Sequence, residues 1–274
     1  MNNRSTLGSK LVASPYIVWS VLFIVAPLIF VVYYSFTDAS GAFTLDNITA
    51  LSKYAPTFLR SIWFGIVATL ICLVIAFPLA YFISQTTEKV QRTMVMLVML
   101  PMWMSFLIRT YSWMALLQDT GIINSLLAKI GIDPIHMINT EGAVILGMVY
   151  NFLPYMILPI YSVMAKLDHS MVEACQDLGG NRLTVIRRCI IPMSMPGIVS
   201  GITMVFVPSV STFYISQKLG GGSFDLIGDV IERQFQQSYN YNLGASLSLV
   251  LMVLILICMA VMNRFSGDEE GMVI

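Results

Sequence analysis

Charge is what this sequence has least of. Asp, Glu, Lys and Arg make up 11% of its 274 residues, whereas a soluble domain carries about 25%. That is too little polar surface to coat a water-soluble globule, so an integral membrane protein is implied. Acids and bases balance at 15 each, which removes the electrostatic argument for a nucleic-acid partner. Cysteine is sparse as well. Cys72, Cys175, Cys189 and Cys258 show no metal-ligand spacing and imply no disulfide framework. His136 and His169 are too few and too separated to suggest a metal site. No G-x-x-x-x-G-K-[ST] phosphate loop occurs, because the run Gly220 to Ser223 lacks the lysine that would reach the phosphates. A G-x-S-x-G elbow and an H-E-x-x-H pair are missing too. An ATPase and an intramembrane hydrolase are therefore poorly supported, and this chain is expected to bind neither metal nor cofactor.

What is present is apolar: 57% of the residues are hydrophobic and the mean hydropathy is +0.79. About 20 helical residues cross the hydrocarbon core, and six runs meet that length, at about 16–36, 58–84, 93–117, 142–165, 196–215 and 243–262. The expectation is an all-α membrane protein with 1–274 as a single transmembrane domain. The first run follows a polar start with Arg4 and Lys10, as a signal peptide would. A signal's apolar core is only about 7–15 residues, so the run is read as a retained span. Pro27, Pro78, Pro101, Pro154, Pro159 and Pro208 fall inside runs, which membrane helices tolerate when neighbours satisfy the freed carbonyls. Gly197 and Gly201 form a small-xxx-small pair suited to close helix approach.

Orientation follows from the lysines and arginines outside the spans or at their ends. With the N-terminus inside, nine lie on the cytoplasmic side (Arg4, Lys10, Lys89, Arg92, Lys166, Arg182, Arg187, Arg188, Arg264) and five outside (Lys53, Arg60, Lys129, Lys218, Arg233). Both termini and the stretch 166–195 are thus expected in the cytoplasm.

That stretch is the longest polar interruption. Ser170 and Glu173 have the S-x-x-E spacing of a capping box, and Gly179 with Gly180 suits a left-handed helix stop. A short helix over about 171–178 is predicted, then a second from 181 to 191 that stops before Pro192. Glu173-Ala174-Cys175, three residues, Gly179, nine residues, then Cys189-Ile190-Ile191-Pro192 resembles the EAA loop of binding-protein-dependent ABC importer permeases, E-A-A-x3-G-x9-I-x-L-P. Cys175, Cys189 and Ile191 depart from that pattern by small or apolar replacements. The resemblance implies a type I importer permease fold with a cytoplasmic coupling helix between spans 4 and 5. Ser170, Glu173, Ala174, Asp177, Gly179 and Arg182 would then dock on a separate ATPase subunit, which would use the ATP and Mg.

The stretches 101–119 (PMWMSFLIRTYSWMALLQD), 150–159 (YNFLPYMILP) and 208–228 look like the spermidine/putrescine subfamily of these permeases. This implies a bacterial cytoplasmic-membrane importer with a second homologous permease, two ATPase copies and an extracytoplasmic binding protein. A polyamine is a flexible polycation whose desolvation needs carboxylates and aromatic faces. Asp119, Asp225 and Asp229 are the candidate carboxylates, the last two sharing a face if their loop is helical. Tyr111, Trp113, Tyr150, Phe213 and Tyr214 are the candidate aromatics. Arg109 within the third run is read as snorkelling to the outer surface. A permease for another small solute, and a non-transporting membrane scaffold that docks a soluble partner, remain open as alternatives.

Overall fold

A computed structural model describes residues 15–167, 169–177 and 179–267. Among the described residues the regular structure is helical, apart from an isolated antiparallel bridge between Thr37 and Phe43, and loops join the helices. In chain order the described helices of six or more residues are α1 (Pro15–Ser35), α2 (Ala55–Ser84), α3 (Glu88–Met99), α4 (Phe106–Leu117), α5 (Ile122–Lys129), α6 (Glu141–Met164), α7 (His169–Asp177), α8 (Arg182–Ser211), α9 (Tyr214–Leu219), α10 (Ile227–Gln236) and α11 (Tyr241–Gly267). By length and apolar composition five helical stretches can cross a membrane, or six if one bent pair is a single span. Arg4 and Lys10 of the orientation argument lie outside the described residues.

The chain divides into two compact units, residues 1–55 with 230–254, and 56–229 with 255–274. In the first, α1 carries apolar side chains all round, and of its residues only the last, Ser35, is buried within the chain. Phe23 and Ile29 are about 60% exposed, as suits a helix whose solvent is lipid. Just beyond α1, Asn242 donates from Nδ2 to the Thr37 carbonyl at 2.7 Å and Ser246 donates from Oγ to the Ser35 carbonyl at 3.2 Å. The Ser35 carbonyl is one that the helix end leaves without a backbone partner, and the Thr37 carbonyl also accepts from Asn47 Nδ2 at 2.9 Å.

The second unit is built around α6 and α8. Glycine makes that contact possible: a Cβ on Gly197 would stand 2.8 Å from the Pro159 carbonyl oxygen, and one on Gly201 would stand 3.2 Å from the Met156 oxygen. The small-xxx-small pair is therefore a packing seam, with Met156, Ile160 and Ile198 buried beside it.

Two predicted spans are corrected. The third run, 93–117, is not one straight helix: the stretch Glu88–Trp103 and the stretch Phe106–Lys129 meet at 88°. Pro101 tightens the chain into a 3-10 turn, and Met104 and Ser105 are then extended, so the helical ladder is interrupted there. The fifth run is not confined to 196–215. Its helix begins at Arg182, passes through Pro192 and ends at Ser211. The predicted stop before Pro192 fails because Ile186–Ile190 form a π turn, closed by Ile191 N–H donating to the Ile186 carbonyl. A wider turn relieves the clash between a proline ring and the carbonyl four residues back. The same device precedes Pro27 in α1, where Val21–Val25 are π and Ala26 N–H donates to the Val21 carbonyl.

Candidate functional site

Two groups of the predicted residues assemble, one on the polar hairpin and one where α4 and α9 meet. The hairpin is shaped by its caps. Gly179 has φ +83°, its N–H donates to the Gln176 carbonyl at 2.8 Å, and Gly180 N–H donates to the Cys175 carbonyl at 3.2 Å. That pair of bonds is a Schellman stop. Gly179 takes the left-handed position and Gly180 does not, and a Cβ on Gly180 would strike the Cys175 oxygen at 2.5 Å. Asn181 then opens α8, its side-chain oxygen accepting from Thr184 N–H at 2.8 Å.

Helix α7 begins at His169, two residues before the predicted start. Ser170 therefore lies inside the first turn, and the position that would cap the helix, 168, falls outside the described residues, as does 178 at its other end. Ser170, Glu173, Ala174 and Asp177 follow the i, i+3, i+4, i+7 spacing of one helical face and all are exposed, as are Gly179 and Arg182. On the other face Val172 and Cys175 pack against the buried core. Cys175, Gly179, Gly180, Thr184, Val185 and Arg188 line a cleft of about 280 Å³ between the two helices of the hairpin. The hairpin thus holds its apolar side on its own chain and presents a polar face outward.

At the other group, four predicted aromatics form two pairs. Trp113 meets Tyr150 edge to face at 5.3 Å, and Tyr111 meets Tyr214 at 6.3 Å with the rings 83° apart. Phe106 also packs on Tyr214 at 5.9 Å. Phe213 is exposed at the break between α8 and α9. Arg109 does not snorkel. It is 8% exposed, its Nε and Nη1 have no hydrogen-bond partner, and its guanidinium carbon lies 5.9 Å from the Phe106 ring centre. The break at Met104–Ser105 redirects α4, which packs against α5, α6 and α9, so the side chain is enclosed rather than extended toward a membrane surface.

The carboxylates separate. Asp119 is exposed and contacts His136 Nδ1 at 2.9 Å. Asp225 is half-buried, has interactions of its own, and precedes the helix that starts at Ile227, so it shares no helical face with Asp229. Asp229 is 3% exposed. It accepts from Leu226 N–H and from Ser216 Oγ, both at 2.8 Å. An acid at the third helical position that reaches back to the cap amide is the returning half of a capping box. Asp229 thus builds the start of α10, together with Ser61, whose Oγ accepts from Ile227 N–H at 2.7 Å.

Sequence reading missed Lys218, counted there only as an outer charge. Its ammonium stands 5.5 Å from the Tyr111 ring centre and 5.7 Å from that of Tyr214. Its position four residues after Tyr214 on a helix was the available signal.

A multi-span helical chain with a capped, outward-facing polar hairpin is the architecture of a transporter's membrane subunit. The chain belongs to the binding-protein-dependent transport system inner membrane component family, which matches residues 3–266. It is 38% identical over 234 residues to the spermidine/putrescine transport system permease protein PotB of Haemophilus influenzae, covering 81% of each chain. To the Escherichia coli protein of that name it is 39% identical over 227 residues, covering 79% of this chain and 82% of the other. A chain of a bacterial ABC transporter involved in import of the acidic polysaccharide alginate has the same fold, with TM-score 0.74 at 19% identity over 93% of both chains.

Proposed function

We propose that this chain is the permease subunit of an ATP-driven importer of polyamines, spermidine or putrescine. The observation that carries the reading is the identity of 38–39% over about four-fifths of the chain to the two PotB permeases. In this reading the chain works with a second homologous permease, two copies of an ATPase that uses ATP and Mg, and an extracytoplasmic binding protein. It sits in a bacterial cytoplasmic membrane with both termini inside. Ser170, Glu173, Ala174, Asp177, Gly179 and Arg182 form the face that docks on the ATPase.

The course of α8 supports a direct mechanical link. It follows α7 after only the four residues 178–181 and runs unbroken for 30 residues, about 45 Å at 1.5 Å per residue. A displacement of α7 by the closing ATPases therefore passes into a spanning helix rather than into a slack loop. Through the Gly197–Gly201 seam it reaches α6, which bears Tyr150. Tyr111, Trp113, Tyr150 and Tyr214 line the substrate path in this proposal, and Asp119 and Asp225 contribute charge near it. Asp229 is left out, since its carboxylate is buried at a helix start.

The test is reconstitution of the chain with its companion subunits in proteoliposomes, followed by measurement of spermidine and putrescine uptake. The expected result is accumulation that requires ATP inside and the binding protein outside. Uptake of neither polyamine, by a preparation whose ATPase responds to the binding protein, would assign the permease to another solute.

A further inference from the structure

Lys218 is an alkylammonium that the chain itself supplies to a pair of aromatic rings. Its side chain is four methylenes ending in a primary ammonium, the same arrangement as butane-1,4-diamine without its second ammonium. The ammonium lies over both the Tyr111 and the Tyr214 rings, at 5.5 and 5.7 Å from their centres. The rings stand at 83° to one another, so two π faces converge on one cation, within the roughly 6 Å over which such attraction acts. Phe106 packs on Tyr214 from α4, so the pair is built from two helices in one compact unit. A lysine near a membrane boundary ordinarily extends its charge into water. This one is half-buried and folded onto the tyrosines.

We propose that Tyr111 and Tyr214 form an alkylammonium site, and that Lys218 is its tethered occupant until the end of an incoming polyamine displaces it. The inference rests on the polyamine reading for the identity of the visitor. A short tether gives an effective concentration in the millimolar range, so a free ammonium of similar affinity exchanges with it at about that concentration. Once displaced, the lysine is a like charge beside the bound ammonium. Like charges at close range repel, which shortens the stay of the substrate and favours passage over trapping. The site is never left as an empty pair of aromatic faces open to other cations.

The test reads the lysine directly. The full chain, purified with the subunits that accompany it and held in nanodiscs, is acylated with an N-hydroxysuccinimide ester, and modification of Lys218 is quantified by peptide mass spectrometry. Exposed Lys129 serves as internal reference. The probe is n-butyltrimethylammonium, which has no reactive amine and suits an aromatic site; n-butanol and sodium chloride are controls. The expected result is a severalfold rise in Lys218 acylation relative to Lys129 at millimolar probe, with neither control acting. In a Tyr111→Leu, Tyr214→Leu double variant, Lys218 should be fast from the outset and indifferent to the probe. A Lys218 rate that ignores the probe in the unaltered chain overturns the proposal, and so does an equal response to the controls. Spermidine uptake by the same preparation separates the two claims. Uptake with an unresponsive Lys218 removes this site and leaves the polyamine reading. A responsive Lys218 without uptake keeps the site and assigns it to another organic cation.

Discussion

Gly179 offers a perturbation whose effect is confined to the backbone. Its φ is +83°, and a Cβ built there would meet no atom within 4 Å. A side chain at this position therefore clashes with nothing in the chain, and only the cost of left-handed backbone remains. For an ordinary L-residue that cost is roughly 1–2 kcal/mol, a factor of about 5–30 in the population of the correctly stopped helix. Gly179→Ala should lose that much, Gly179→Val more because of its branched Cβ, and Gly179→Asn least, since Asn tolerates this conformation. The Schellman bonds from Gly179 and Gly180 set where α7 ends relative to α8, so the loss should appear in coupling. The assay is binding-protein-stimulated ATP hydrolysis by the reconstituted transporter, normalised to the permease present in the membrane. The order Gly, Asn, Ala, Val in falling stimulation, at constant expression, is expected. Normal stimulation with Val would refute the argument. So would an Asn variant as poor as Val, because bulk against the ATPase, rather than backbone strain, would then decide.

Gly201→Leu should destabilise the α6–α8 seam by about 1–3 kcal/mol or more, as overpacking does, because the Met156 sulfur and carbonyl leave no room for a Cβ; a thermal shift in detergent measures it, and an unshifted variant would place the seam elsewhere. Asp229→Ala should lower stability and yield rather than change which polyamine is carried, since charge-assisted bonds of the kind it accepts are worth about 1.5–3 kcal/mol each and Leu226 N–H would lose its acceptor; altered polyamine preference at normal stability would return Asp229 to the substrate path. Single cysteines placed near Asn47, Asp133 and Ser223 in a cysteine-free background should react with an impermeant maleimide from outside intact cells, and one at Asp177 should not; labelling at Asp177 would invert the topology.

The class of protein, the spans that follow simple apolar length, and the exposed polar face of α7 were legible in the chain itself. Scarce charge excludes a water-filled surface whatever the fold, and the spacing of Ser170, Glu173, Ala174 and Asp177 places them on one side of any helix. Gly179 at a left-handed stop was equally readable, because no other residue adopts that conformation so freely. Three things were decided only in three dimensions. Pro192 reads locally as a stop, yet a π turn over Ile186–Ile190 carries the helix through it, and nothing in the residue types of that turn announces the wider hydrogen bonding. Arg109 within an apolar run and Asp229 between two runs both read in sequence as charges that reach water or the substrate path. Their fates depend on what encloses them: the redirected α4 buries the guanidinium, and a helix start consumes the carboxylate. Lys218 meets Tyr111 across 107 positions of sequence: the four-residue spacing within α9 pairs its ammonium with Tyr214 alone, and only the packing of α9 on α4 brings the second ring to it. Local periodicity sets which face a residue occupies; which face meets which is settled by the packing of distant elements, and that is where the site's charge and aromatic surface are combined.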